Sequence, residues 1–235
     1  FQAAVTAARQ GWDAGDGPRL EEQPDIRAAI RQSARDGASP LSGLALRNII
    51  QVLQTGEYLH RSLARYPGLF AGNAGDLTAA ADLVDRLDGV VDTMGRVRGD
   101  ASETLERLNA DVASVRGDLD KEVDKKRRDK RLAPGLVEPK TPHYSGPRRV
   151  LAVQADTAAR MKGVRREALS RDRGVLVEPM EWIALNNRLE QLSKEIDAEE
   201  RRVLREVTAE VGGRRRDLER LLDAVTWIDL ALGAG

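Results

Sequence analysis

Nine cationic side chains crowd into a short stretch of this chain: Lys140, Arg148, Arg149, Arg160, Lys162, Arg165, Arg166, Arg171 and Arg173. Ammonium and guanidinium groups in such number, at no fixed spacing, can neutralise anions. Phosphate contacts in particular need cations but no particular sequence order. Between Lys121 and Arg173 sixteen Lys and Arg stand against seven Asp and Glu, although the 235-residue chain has a formal net charge of zero. One part is therefore anion-seeking and the remainder equally acidic, the pattern of a localised nucleic-acid contact. The alternative is a solvated face whose charges only keep the chain soluble. Arg165 and Arg166 adjoin on an extended segment, so they face opposite ways and no more than one reaches a common ligand surface. The run Lys125-Lys126-Arg127-Arg128, with Lys130 and Arg131, ends a helical pattern, where it either binds backbone phosphate or favours the negative end of its own helix.

Other chemistries find little support. The chain has no cysteine, which excludes disulfides, thiolate nucleophiles and Cys-ligated zinc. His60 and His143 are the only histidines and are far apart in sequence, so no imidazole metal site is expected. Acidic pairs such as Glu199-Glu200 and Asp118/Asp120 lie beside Arg and Lys on helical patterns, where surface pairing is their expected role. Ser170 has no nearby His to activate it. His143, beside Tyr144 in a proline-rich loop, reads as a loop residue, with base stacking or a phosphate contact as the alternative. Trp182 and Trp227 sit within apolar periodicity and read as core anchors. No G-x-x-x-x-G-K-[ST] loop occurs, so nothing here cradles the phosphates of ATP. The expectation is a non-enzymatic segment without metal or cofactor.

The elements that must carry these residues are mostly helical. Apolar residues make up 41% of the chain, charged residues 32% and aromatic residues 3%, the composition of long helices more than of a β-sandwich. Helical spacing runs from Pro40 to Tyr66 through Leu41, Leu44, Ile49, Val52, Leu53, Leu59 and Leu63, and Pro67-Gly68 breaks it. A second helix is expected from Asp76, as N-cap, to Met94. Leu105, Leu108, Val112, Val115, Leu119 and Val123 form a narrow coiled-coil-like seam, and Trp182, Leu185, Leu189, Leu192, Ile196 and Val203 form another. Two such seams predict an antiparallel pair of arms, each about 45 Å long at about 1.5 Å per residue. Between them, Arg149–Val153, Gly163–Leu169 and Gly174–Val177 read as a small β-sheet. Gly212-Gly213 should break the returning arm before a strongly apolar helix from Arg214 to Leu232. The expected domains are residues 1–131, helical core and outgoing arm; 132–179, a β-containing tip; and 180–235, returning arm and core helix. No apolar run reaches the length of a membrane span and no signal pattern opens the chain, so a cytoplasmic location is expected. The start at Phe1 and the end at Gly235 lead us to expect a fragment of a larger protein.

Several motifs then occur in a telling order. Pro24-Asp25-Ile26-Arg27, Val97-Arg98-Gly99-Asp100-Ala101-Ser102, Gly174-Val175-Leu176-Val177-Glu178-Pro179, Ile183-Ala184-Leu185-Asn186-Asn187-Arg188-Leu189-Glu190 and Trp227-Ile228-Asp229-Leu230-Ala231 together resemble the second bacterial MutS family, endonuclease MutS type 2. The match covers most of the chain. It departs at Leu169-Ser170-Arg171-Asp172-Arg173-Gly174, where the family usually has an Asp-Ser-Ser-Ala-Ser-Gly-like turn. The resemblance implies a mainly α fold: a MutS-like helical core with long antiparallel lever helices and a small inserted β-containing clamp domain. It implies that the nine cations of the clamp grip duplex or branched DNA, and that the longer protein is a homodimer that suppresses homologous recombination. ATP and Mg would be held in an ATPase domain outside this sequence, as would the Smr domain that many members carry. Two other readings stand beside this one: a ribosome-binding arm, since the same family acts on stalled or collided ribosomes, and a non-catalytic coiled-coil scaffold.

Overall fold

The computed structural model describes residues 20–35, 37, 39–64, 74–169 and 174–233. In chain order it contains α1 (Arg27–Ser33), α2 (Gly43–Leu63), α3 (Asp82–Asp88), α4 (Glu103–Arg128), β1 (His143–Ser145), β2 (Arg148–Val153), α5 (Ala155–Arg160), β3 (Gly163–Ala168), β4 (Val175–Pro179), α6 (Ile183–Gly213) and α7 (Arg215–Gly233). The fold is mainly α, as the sequence predicts. The chain divides into two compact units, residues 1–102 with 200–235, and residues 103–199.

The first unit is a helical core. Ser42 starts α2 by accepting a hydrogen bond from the Ala45 N–H at 3.2 Å. The α2 stripe Leu46, Ile49, Ile50, Leu53, Leu59 and Leu63 is buried, while Leu44, expected in that stripe, is exposed. The expected break at Pro67-Gly68 lies outside the described residues. The single helix expected from Asp76 to Met94 does not form. In its place are a 3-10 turn at Asp76–Thr78, the short α3, and a tight turn after Gly89. Local chemistry explains the break. Asp92 accepts from the backbone N–H groups of Met94 and Arg96, both at 2.9 Å, and Gly95 adopts a φ of 73° that closes the turn. Val91 and Val97 then bridge antiparallel. Helix α6 does end at the glycine pair, and α7 restarts at Arg215. Gly212 has a second reason to lack a side chain, because a Cβ there would lie 2.4 Å from the Ser33 carbonyl oxygen.

The second unit positions the cations. Helix α4 carries Glu103 and Glu106 in its first turn and Lys125, Lys126, Arg127 and Arg128 in its last, each charge set against the opposite end of the helix dipole. The sheet has order β1-β2-β4-β3 with every neighbouring pair antiparallel. One face, Leu151, Val153 and Val177, packs with Leu119 and Val123 of α4, Ala158 of α5 and Trp182, the last fully buried as an anchor. The other face, Val150, Ala152 and Leu176, is covered by Val137 and Leu169. Strand β1 was not expected. It is short and polar, and Gly146, at a φ of 56°, turns it back onto β2.

Helices α4 and α6 run antiparallel within this unit. Leu119 and Val123, late in α4, join the cluster that includes Leu185 and Leu189, early in α6, and Asp111 meets Arg188 at 3.5 Å. The seam is closed beside the sheet and opens beyond it. Leu105, Leu108, Leu119 and Val123 are buried, but Val112, Val115, Leu189 and Ile196 are only half-buried. A groove of about 730 Å³ separates the two helices there.

Candidate nucleic-acid interface

The structure sorts seven of the nine predicted cations into three groups. Arg148 and Arg166 are consumed internally, Arg149 is buried, and Lys140, Arg160, Lys162 and Arg165 are exposed. Arg171 and Arg173 lie outside the described residues, as does Ser170.

The first group is organised by Glu178, which is fully buried on β4. Arg148 donates from Nε at 3.0 Å and pairs through Nη2 at 2.9 Å, and Arg166 donates from Nε at 3.0 Å and closely from Nη2. Asn186 of α6 donates to the same carboxylate at 2.8 Å. Burial opposes the charge on Glu178, but the hydrogen bonds from Arg148, Arg166 and Asn186 outweigh it and hold the carboxyl below the usual glutamate range. Arg148 also reaches Glu190 at 3.0 Å and the Asn187 side chain.

Asn186 does a second task. Continuing the Leu151↔Val177 register by two residues would bring Arg149 opposite Pro179, which has no N–H to donate. Asn186 supplies the missing ladder partner: it accepts from the Arg149 N–H at 2.9 Å and donates to the Arg149 carbonyl at 3.0 Å. The Glu-Pro and Asn-Asn steps seen in the sequence thus lock β2, β4 and the start of α6 together. The sequence did carry a signal for this, since a carboxylate inside the apolar strand Val175-Leu176-Val177-Glu178 needs buried cationic partners.

The exposed cations extend beyond those predicted. Arg128, Lys130, Arg131, Lys140, Lys162 and Arg165 are exposed and have no ion pair among the described residues. Arg160 is exposed and holds only an i,i+4 contact with Asp156 at 3.1 Å. Lys126, Arg131, Arg160 and Lys162 share the walls of one depression of about 580 Å³ with Leu132, Met161 and Met180. Lys126 is tied to Glu181, whose carboxyl is held low chiefly by that hydrogen bond, with burial opposing it. Lys121, Lys125 and Arg128 line a neighbouring depression on the last turns of α4. Met180 joins this surface through its backbone, donating to the Lys162 carbonyl at 3.2 Å. The arrangement sets exposed ammonium and guanidinium groups around a partly apolar floor, a surface able to pair with a run of phosphates. His143, expected in a loop, instead opens β1 opposite Val150, with its Nε2 3.4 Å from the Glu138 carbonyl oxygen.

Among the described residues no group of three or more His, Cys, Asp or Glu could hold a metal ion, and no helix is long and apolar enough to cross a membrane.

The fold and site define a helical segment with an inserted, cation-bearing antiparallel sheet. Sequence comparison places the same chain alongside proteins named endonuclease MutS2. That of Symbiobacterium thermophilum is 25% identical over 236 aligned positions, covering 100% of this chain and 29% of that protein. That of Geobacillus thermodenitrificans is 24% identical over 222 residues, 89% of this chain and 27% of that protein. That of Thermomicrobium roseum is 26% identical over 220 residues, 88% of this chain and 26% of that protein. The chain spans less than a third of the length of these curated relatives. No family model matches it. The matches fit a fragment of a MutS2-like protein.

Proposed function

We propose that residues 103–199 bind duplex or branched DNA through its backbone phosphates, as the lever and clamp of a longer MutS-like ATPase. The observation that carries this reading is the set of exposed cations without ion pairs, Arg128, Lys130, Arg131, Lys140, Lys162 and Arg165, gathered in a unit of a chain that is neutral overall. Arg160 joins them; Arg148 and Arg166 serve the clamp by holding Glu178. The similarity to MutS2 proteins supports DNA as the polyanion. In the longer protein, ATP and Mg belong to a separate domain, two protomers close on DNA, and the role is suppression of homologous recombination.

Fluorescence anisotropy of the 235-residue chain with labelled duplex and four-way junction, at several salt concentrations, tests the reading. Each phosphate neutralised contributes about −0.9 to the slope of log affinity against log salt, so four contacts cost roughly tenfold in affinity for a doubling of salt. Affinity should be indifferent to sequence. Binding to ribosomes but not to DNA at matched salt would move the assignment to a ribosome-binding arm. Binding to neither would leave a scaffold.

A further inference from the structure

Arg149 is nine-tenths buried, yet it has no ion pair among the described residues and its Nε has no hydrogen-bond partner. Its guanidinium lies 5.0 Å from the centre of the Tyr144 ring, its one specific contact among the described residues. A buried cation without a counter-anion is costly, and a cation–π contact offsets only part of the cost. Arg149 also lines the groove between α4 and α6, where the sequence predicts a closed apolar seam. The groove therefore gives an anion access to Arg149.

The walls say what else the anion carries. Val112, Leu119, Leu189 and Ile196 give the groove apolar sides, and Tyr144, more than half exposed, offers a ring face. Arg116 stands exposed on the rim, without an ion pair among the described residues, and adds positive charge beyond what a single carboxylate would need. Asp120, exposed and also without an ion pair among the described residues, can only accept hydrogen bonds when ionised, and so suits an exocyclic amino group. Glu190 lines the groove too, but is already engaged by Arg148 and Lys194. The volume, about 730 Å³, is that of a small-molecule site.

We propose that this groove binds a mononucleotide with an amino-bearing base, its phosphate on Arg149 and Arg116 and its base between Tyr144, the apolar walls and Asp120. The same chemistry comes from two sources, a free nucleotide or the 5′-phosphate end of a single strand. This site is independent of the duplex-binding cations.

Isothermal titration calorimetry of the full chain tests it with CMP, cytidine, UMP and short single strands with and without a 5′-phosphate. CMP should bind at one site, and cytidine about tenfold more weakly or worse, because it lacks the charge-assisted hydrogen bonds. Arg149→Met should weaken CMP binding without lowering the melting temperature of the free protein, since it removes an unpaired buried charge at similar volume. Arg116→Ala, on the exposed rim, should weaken CMP severalfold in a folded protein. A strand that binds more tightly when 5′-phosphorylated, and more tightly than CMP, identifies a strand end; CMP binding alone identifies a free nucleotide. No saturable CMP binding, or CMP binding unaltered in both variants, overturns the proposal. Equal affinity for CMP and UMP overturns the role of Asp120. Duplex binding is read separately: Lys162→Glu with Arg165→Glu should reduce it and leave CMP binding unchanged, so the two assignments can fail independently.

Discussion

Replacing Glu178 by Gln should loosen the sheet at neutral pH and do so less and less as the solution is acidified. The carboxylate is fully buried and receives both Arg148 and Arg166. Removing one partner of such a buried set typically costs about 3 to 5 kcal/mol. The lower end applies here, because Arg148 keeps Glu190 at 3.0 Å and the side chain of Arg166 is 32% exposed and can turn to water. A loss of about 3 kcal/mol corresponds to roughly hundredfold faster hydrogen exchange of β2 and β4 amides, after correction for intrinsic rates. The carboxyl is held below its ordinary value in the folded state. Its contribution is therefore complete above the unfolded glutamate value of about 4.3, and is lost as pH falls through the lower folded value. The gap between variant and parent should thus be full at pH 7 and shrink once the pH drops below about 4. Exchange rates within twofold of the parent at pH 7, or a gap that persists unchanged in acid, would refute the assignment of Glu178 as the charged centre of this network.

Three further substitutions test packing. Leu192→Ala, at a fully buried position of α6, should cost about 2 to 5 kcal/mol in denaturant titration, while Val115→Ala in the open part of the seam should cost a fraction of that. Gly212→Ala should lower the melting temperature even though alanine is the better helix former by about 1 kcal/mol, because the new Cβ would meet backbone atoms of Ser33; a rise would show that the approach relaxes freely.

The parts of the fold that the sequence revealed are those in which one element satisfies its own pattern. The apolar periods of α2, α4 and α6 and the β-branched runs of β2 and β4 fall within a few residues of expectation. Strand β1 was hidden because His143-Tyr144-Ser145 has no apolar alternation and depends on its neighbour for pairing. The helix expected to Met94 stops at Asp88, and beyond it the Asp92 side chain takes the Met94 N–H, which a continued helix would have used. The open part of the α4/α6 seam was also beyond reach, since periodicity says which residues face inward but not how closely two helices approach. For the site, the excess of cations was legible and their division was not. Arg148 and Arg166 look like Lys162 and Arg165 in sequence; only the strand order, which sets β4 between β2 and β3, brings both to Glu178.

Paired charge reversals test whether exposed cations of residues 103–199 hold DNA by its phosphates. Arg166 is unsuitable, because Arg166→Glu would set two carboxylates together in the sheet. Lys162→Glu with Arg165→Glu changes two exposed residues without ion pairs, and Arg35→Glu with Arg216→Glu makes the same change of net charge at exposed positions in the other unit. Duplex affinity should fall for the first variant, with its salt slope shallower by roughly 2 if each side chain neutralises one phosphate, and should stay near the parent value for the second. Equal affinities and equal slopes for the two variants would show that these cations do not hold DNA.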